Sequence, residues 1–221
     1  MTRSGTAQRL VLSGSAGFAV TYEALVLTRP GRRLDDAVMA HTVAWLGRSP
    51  GWSSLAEQVL DAVSVASCVA VVLLLALMAY AAGRTRQAVV ALVTAAAVAS
   101  LAQVLKVVLL RPGSELTGVA NSLPSGHVAA VAGLVAAAVI ASAPRRRWWV
   151  VAAGSPAVVT VGVAVVASGW HRPSDVLASI FLAVSVCGCA LCVVGEVDPP
   201  SVVGPGPLRE RRRQRVAAGP R

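Results

Sequence analysis

The amino-acid sequence predicts an all-α fold, a polytopic membrane helical bundle of about six transmembrane helices. Three observations lead there. Of 221 residues, 56% are hydrophobic and only 14% charged, where a soluble domain carries about a quarter charged. The apolar residues come in long unbroken runs, not at the spacing of a half-buried helix or strand. Between those runs sit short clusters of arginine, the usual placement of membrane topology signals.

Six apolar stretches cover residues 10–27, 62–82, 88–105, 128–143, 148–170 and 176–195. Each approaches the roughly 20 residues that a helix needs to cross the hydrocarbon core. The first is diluted by Ser13, Ser15, Thr21 and Glu23. No clear small-residue cleavage site follows it, so it reads as a span rather than a signal peptide. Within residues 29–57, Leu34, Val38, Met39, Val43 and Leu46 recur at roughly helical spacing and predict a short surface helix. Residues 1–197 then make one membrane domain. The tail, 198–221, is rich in Pro, Gly and Arg and reads as disordered. Its basic run at 209–215 suits anionic lipid of the inner leaflet.

The net charge of +10 comes from 19 arginines and one lysine against 10 acids. Thirteen arginines fall in 1–9, 83–87, 144–147 and the tail; the other six are Arg29, Arg32, Arg33, Arg48, Arg111 and Arg172. The positive-inside rule therefore puts both termini of this multi-pass chain in the cytoplasm. No basic stripe with interleaved aromatics is present, which argues against a nucleic-acid partner. Cys68, Cys187, Cys189 and Cys192 lie inside apolar runs without metal-ligand spacing and act as small hydrophobes.

Against this apolar background a few polar residues are expensive. Lys106 is the only lysine and lies near the end of the third stretch. A cation costs about 2.5–3.5 kcal/mol at a span's centre and less near its end, where it can also serve as an interfacial anchor. Pro124-Ser125-Gly126-His127 precedes the fourth stretch. Glycine permits close backbone approach, and free amides at a helix start bind anions; the same tetrapeptide also suits a plain helix cap. Trp170-His171-Arg172-Pro173-Ser174-Asp175 opens the sixth stretch. On a helix, His171 and Asp175 would share one face, so the carboxylate could fix the imidazole tautomer; an interfacial cap is the bland alternative. His41 has no such company. On the topology above, Lys106, Arg111, His127, His171, Arg172 and Asp175 all fall on the outer face, the composition of a phosphate site.

These residues resemble the three motifs of the type 2 phosphatidic acid phosphatase family, which includes bacterial lipid-phosphate and polyprenyl-diphosphate phosphatases. The family pattern is Lys, six residues, then Arg-Pro; Pro-Ser-Gly-His; and Ser-Arg, five residues, His, three residues, Asp. The middle motif is complete at 124–127, and the third keeps His171 and Asp175. The resemblance implies that His171 attacks phosphorus, Asp175 orients it and His127 protonates the leaving group. Lys106, Arg111, Ser125, Gly126 and Arg172 would hold phosphate oxygens. It implies a phosphorylated membrane lipid as substrate and no metal or other cofactor. A non-catalytic member binding lipid head groups or a protein partner is the alternative. In two places the chain departs from the pattern. Val104 occupies the family's lysine position, and Lys106 is turned from Arg111 by roughly 140° on a regular helix, so the helix has to end or distort there. The third motif's Ser-Arg falls on Ala164 and Val165, which leaves Arg172 to supply the missing charge.

Overall fold

The computed structural model describes residues 3–46, 49, 51–112 and 121–195. The tail expected at 198–221 and Arg48 lie outside the described residues. Among the described residues all regular structure is helical: α1 (Arg3–Thr21), a π-helical turn (Tyr22–Leu27), α2 (Arg29–Trp45), α3 (Trp52–Ala62), α4 (Val65–Ala81), α5 (Thr85–Val108), α6 (Gly126–Ala141), a short 3-10 turn (Pro144–Arg146), α7 (Arg147–Ala167) and α8 (Pro173–Gly195).

Each predicted apolar stretch carries a helix, but among the described residues length and composition do not confirm the count of six spans. Four helices or helix runs (Gly5–Leu27, Thr85–Val108, Pro144–Ala167 and Pro173–Gly195) are long and apolar enough to cross a membrane, and α3 with α4, bent by 55°, would make a fifth. The fourth stretch gives α6, only 16 residues long, about 24 Å against a hydrocarbon core of about 30 Å. It lies in the middle of the bundle with contacts to α4, α5, α7 and α8. A helix wrapped by neighbours has no need to match the bilayer thickness.

Small residues let these helices approach closely. A Cβ on Gly14 would lie 2.5 Å from the Ser185 amide nitrogen, and one on Gly188 would lie 2.6 Å from that of Val11. The antiparallel pair α1 and α8 therefore packs backbone to backbone. Ser15 and Ser185 share a hydroxyl hydrogen bond of 2.9 Å along the same seam.

The amphipathic segment forms α2, with its buried stripe on different residues from those expected. Leu34 and Val38 are exposed, whereas Gly31 and Asp35 are buried and Met39 packs on the core. These three recur at intervals of four, one helix face. An acid at the centre of a buried face needs a partner, and that partner leads to the site.

Candidate active site

Two helix starts meet at one end of the bundle. The Ser125 amide, just before α6, donates to the Asp175 carbonyl in α8 at 3.2 Å. The buried Ser179 hydroxyl is 2.9 Å from the Ser125 carbonyl and 2.8 Å from that of Asp175. The positive dipole ends of α6 and α8 thus lie side by side, an arrangement suited to an anion. Gly126 sits beside Gln103 of the antiparallel α5. Since α5 continues to Val108, the start of α6 is recessed by about 7 Å.

His171 lies in the turn between α7 and α8. Gly169 takes a left-handed φ of +72°, which lets the chain fold back so that the Trp170 and His171 amides both donate to the Val165 carbonyl. Because Pro173 starts α8, His171 precedes the helix, and its pairing with Asp175 is not the helical stacking expected. The contact forms all the same, with Nδ1 3.2 Å from Asp175 Oδ2.

Asp175 is fully buried and saturated. Its Oδ2 also accepts from the Ser122 hydroxyl at 2.6 Å and the Arg172 amide at 3.1 Å, and its Oδ1 accepts from Arg111 Nη1 at 2.6 Å. Arg111 Nη2 reaches back to Asp35 Oδ2 at 2.9 Å and to the Ser174 hydroxyl at 3.3 Å. Asp35 in turn accepts from the Ser174 amide at 2.9 Å and its hydroxyl at 2.6 Å. Burial pushes the Asp35 carboxyl above its ordinary range, against the Ser174 hydrogen bonds and the Arg111 charge. The carbonyls before Arg111 are held as well: Tyr22 donates to Leu110 at 2.7 Å, and the Asn121 amide to Leu109 at 2.8 Å.

On the other side of His171 a cavity of about 550 Å³ opens between α4, α5 and α6. Lys106, Gln103, Gly126, His127 and His171 line its polar end, and no Asp or Glu lines it. The Lys106 ammonium has no hydrogen-bond or ion-pair partner among the described residues. The His127 ring packs on Trp170 with centroids 5.8 Å apart. Two imidazoles, one unpaired ammonium and the free amides of a helix start can neutralise and orient a phosphate. Among the described residues no three His, Cys, Asp or Glu side chains group as metal ligands.

Residues 106–198 match the family model of the PAP2 superfamily. The fold agrees: a transmembrane PAP2-type phosphatidylglycerolphosphate phosphatase from Bacillus subtilis superposes with a TM-score of 0.69 at 17% identity, covering 86% of this chain and 98% of that one. No curated protein sequence matches.

The candidate site residues divide into three groups. Lys106, Gly126, His127 and His171 line one cavity. Lys106 gets there because α5 ends at Val108 and Leu109 is extended, so the 140° helical offset from Arg111 does not apply. Arg111 and Asp175 stand behind His171, outside the cavity lining, and Ser125 is fully buried with a hydroxyl that has no hydrogen-bond partner among the described residues. Arg172 points elsewhere, its Nε hydrogen-bonded to Asp36 of α2. Val165 is fully buried in the apolar core, contributing only its carbonyl. Sequence reasoning missed Asp35, Asp36, Ser122, Ser174 and Gln103. For Asp35 a signal existed, an acid in register with Gly31 and Met39 on one helix face.

Proposed function

We propose that this PAP2 chain is an integral membrane phosphatase that hydrolyses a lipid phosphate or polyprenyl (di)phosphate without a metal, through a phosphohistidine at His171. The observation that carries the reading is the pairing of His171 Nδ1 with buried Asp175 at the edge of a cavity holding Lys106 and His127. With Nδ1–H donated to the carboxylate, Nε2 keeps its lone pair for attack. The Nε2 lone pair forms the bond to phosphorus as the bond from phosphorus to the lipid oxygen breaks. His127 gives that oxygen its proton. Water, deprotonated by His127, then attacks the phosphohistidine, releases inorganic phosphate and restores both imidazoles.

Lys106 and the first-turn amides of α6, including that of Gly126, bind the phosphate oxygens in this scheme. Arg111 acts from behind by neutralising Asp175 and Asp35, and Arg172 has to leave Asp36 to reach phosphate. The arginine distribution supports a site on the extracytoplasmic face with both termini in the cytoplasm. A cysteine replacing exposed His41 on α2 should then react with an impermeant thiol reagent outside intact cells, and labelling only after permeabilisation would reverse the orientation.

The direct test is phosphate release by purified protein from phosphatidic acid, phosphatidylglycerophosphate and polyprenyl phosphates with chelator present. Release from at least one is expected. Activity lost in chelator and restored by magnesium would overturn the histidine scheme. Val165, where the family has arginine, favours a second reading, a head-group-binding member without turnover. Tight binding without release from any lipid would select it.

A further inference from the structure

The cavity changes character with depth. At its mouth are Lys106, His127 and His171. One helical turn further into α5, on the same face as Lys106, comes Gln103. Below it the α5 wall is Ala99, Ala96 and Leu92, and the facing α6 wall is Ala130 and Leu134. From Lys106 to Leu92 the slot runs about 21 Å along α5, longer than one leaflet of a hydrocarbon core about 30 Å thick.

Gln103 stands out within this wall. Its side-chain amide makes no hydrogen bond among the described residues, although it lies inside a membrane-spanning helix. Gln103 is exposed on the cavity wall, so the hydrogen bonds of its amide are left for a ligand. A Cβ on Gly126 would sit 3.5 Å from Gln103 Nε2, so the amide lies directly beside the start of α6, where the phosphate is proposed to bind.

The order charge, neutral amide, hydrocarbon is also the order of groups along a glycerolipid phosphate, whose ester carbonyls lie between phosphate and tails. A polyprenyl phosphate passes from charge to hydrocarbon directly and would leave the amide without a partner. We infer that Gln103 is a specificity-determining residue that donates to an ester carbonyl of the lipid linker and selects glycerolipid phosphates over prenyl phosphates. This inference rests on the phosphatase reading and names its substrate class.

The test compares kcat/KM of the purified chain on three monophosphates of matched hydrophobicity: an ester-linked diacylglycerol phosphate, its ether-linked analogue without carbonyls, and a prenyl phosphate. The native chain should prefer the ester over the ether by about tenfold, the scale of one hydrogen bond in a desolvated site. In Gln103→Met, similar in shape but without the amide, that preference should fall to within about twofold through loss on the ester alone. An ester-to-ether ratio near one in the native chain would overturn the assignment, as would a ratio that Gln103→Met leaves unchanged. Equal loss on all three substrates would make Gln103 structural. No release from any substrate by the native chain would defeat the phosphatase reading itself, a distinct result.

Discussion

The two sides of the His171 ring are built on opposite principles. Behind it, Asp175, Arg111, Asp35, Ser174 and Ser122 satisfy one another through hydrogen bonds of 2.6–3.3 Å. In front of it, Lys106 and Gln103 face a cavity with no partner among the described residues. A saturated buried network fixes geometry, because each member loses more by moving than it gains. Unpaired polar groups on a cavity wall have their hydrogen bonds left for a ligand. Mutations should divide accordingly, with losses of stability behind the ring and of turnover and affinity in front.

The largest effect should come from behind. Arg111→Ala leaves the carboxylates of Asp35 and Asp175 buried without their guanidinium, and breaking a buried ion pair costs about 3–5 kcal/mol. A large fall in the detergent-solubilised unfolding midpoint is expected. Asp35→Asn, which keeps an acceptor for Ser174, should cost less than Asp35→Ala. Midpoints unchanged in all three variants would break the comparison. In front, His127→Ala should slow phosphate release by about 100-fold, the scale of one positioned general acid, with little change in midpoint. Equal losses of midpoint and turnover would erase the distinction between the two sides.

Smaller effects sharpen the same contrast. Lys106→Ala removes the unpaired ammonium and should raise KM by about tenfold, the scale of a charge-assisted hydrogen bond. Arg172 is tied to Asp36 at a partly exposed site, where ion pairs contribute little to stability. As a tether alone, Arg172→Lys should keep turnover within about threefold, because a lysine can still pair with Asp36. A loss in Arg172→Lys as deep as in Arg172→Ala would instead give Arg172 the bidentate phosphate contact that Val165 cannot make.

Much of the fold was legible because membrane helices announce themselves as apolar runs, and the stretch at 128–143 nearly coincides with α6. Its shortness was not legible, since enclosure by four neighbours is a property of the packed bundle. The bend between α3 and α4 also escaped, because the apolar stretch began only at 62, where α3 ends. The contact of His171 with Asp175 was expected from their spacing of four, though it forms across a helix start and not along one helix face. Asp35 was not, because it meets Arg111 across 76 residues of sequence, and an acid among arginines reads as charge balance. Lys106 looked misplaced only while α5 was taken to continue to Arg111. Gln103 gave no signal, for a single amide in an apolar run means little until its neighbours are known.

In the proposed scheme His171 is the group that receives phosphorus. The measurement is rapid alkaline quenching of purified protein turning over a lipid labelled in its phosphate, followed by counting label retained on the chain. Acid-labile label is expected on the native protein and none in His171→Ala, which should also release phosphate at least about 1,000-fold more slowly. Near-normal release by His171→Ala, or label that persists without His171, would contradict it.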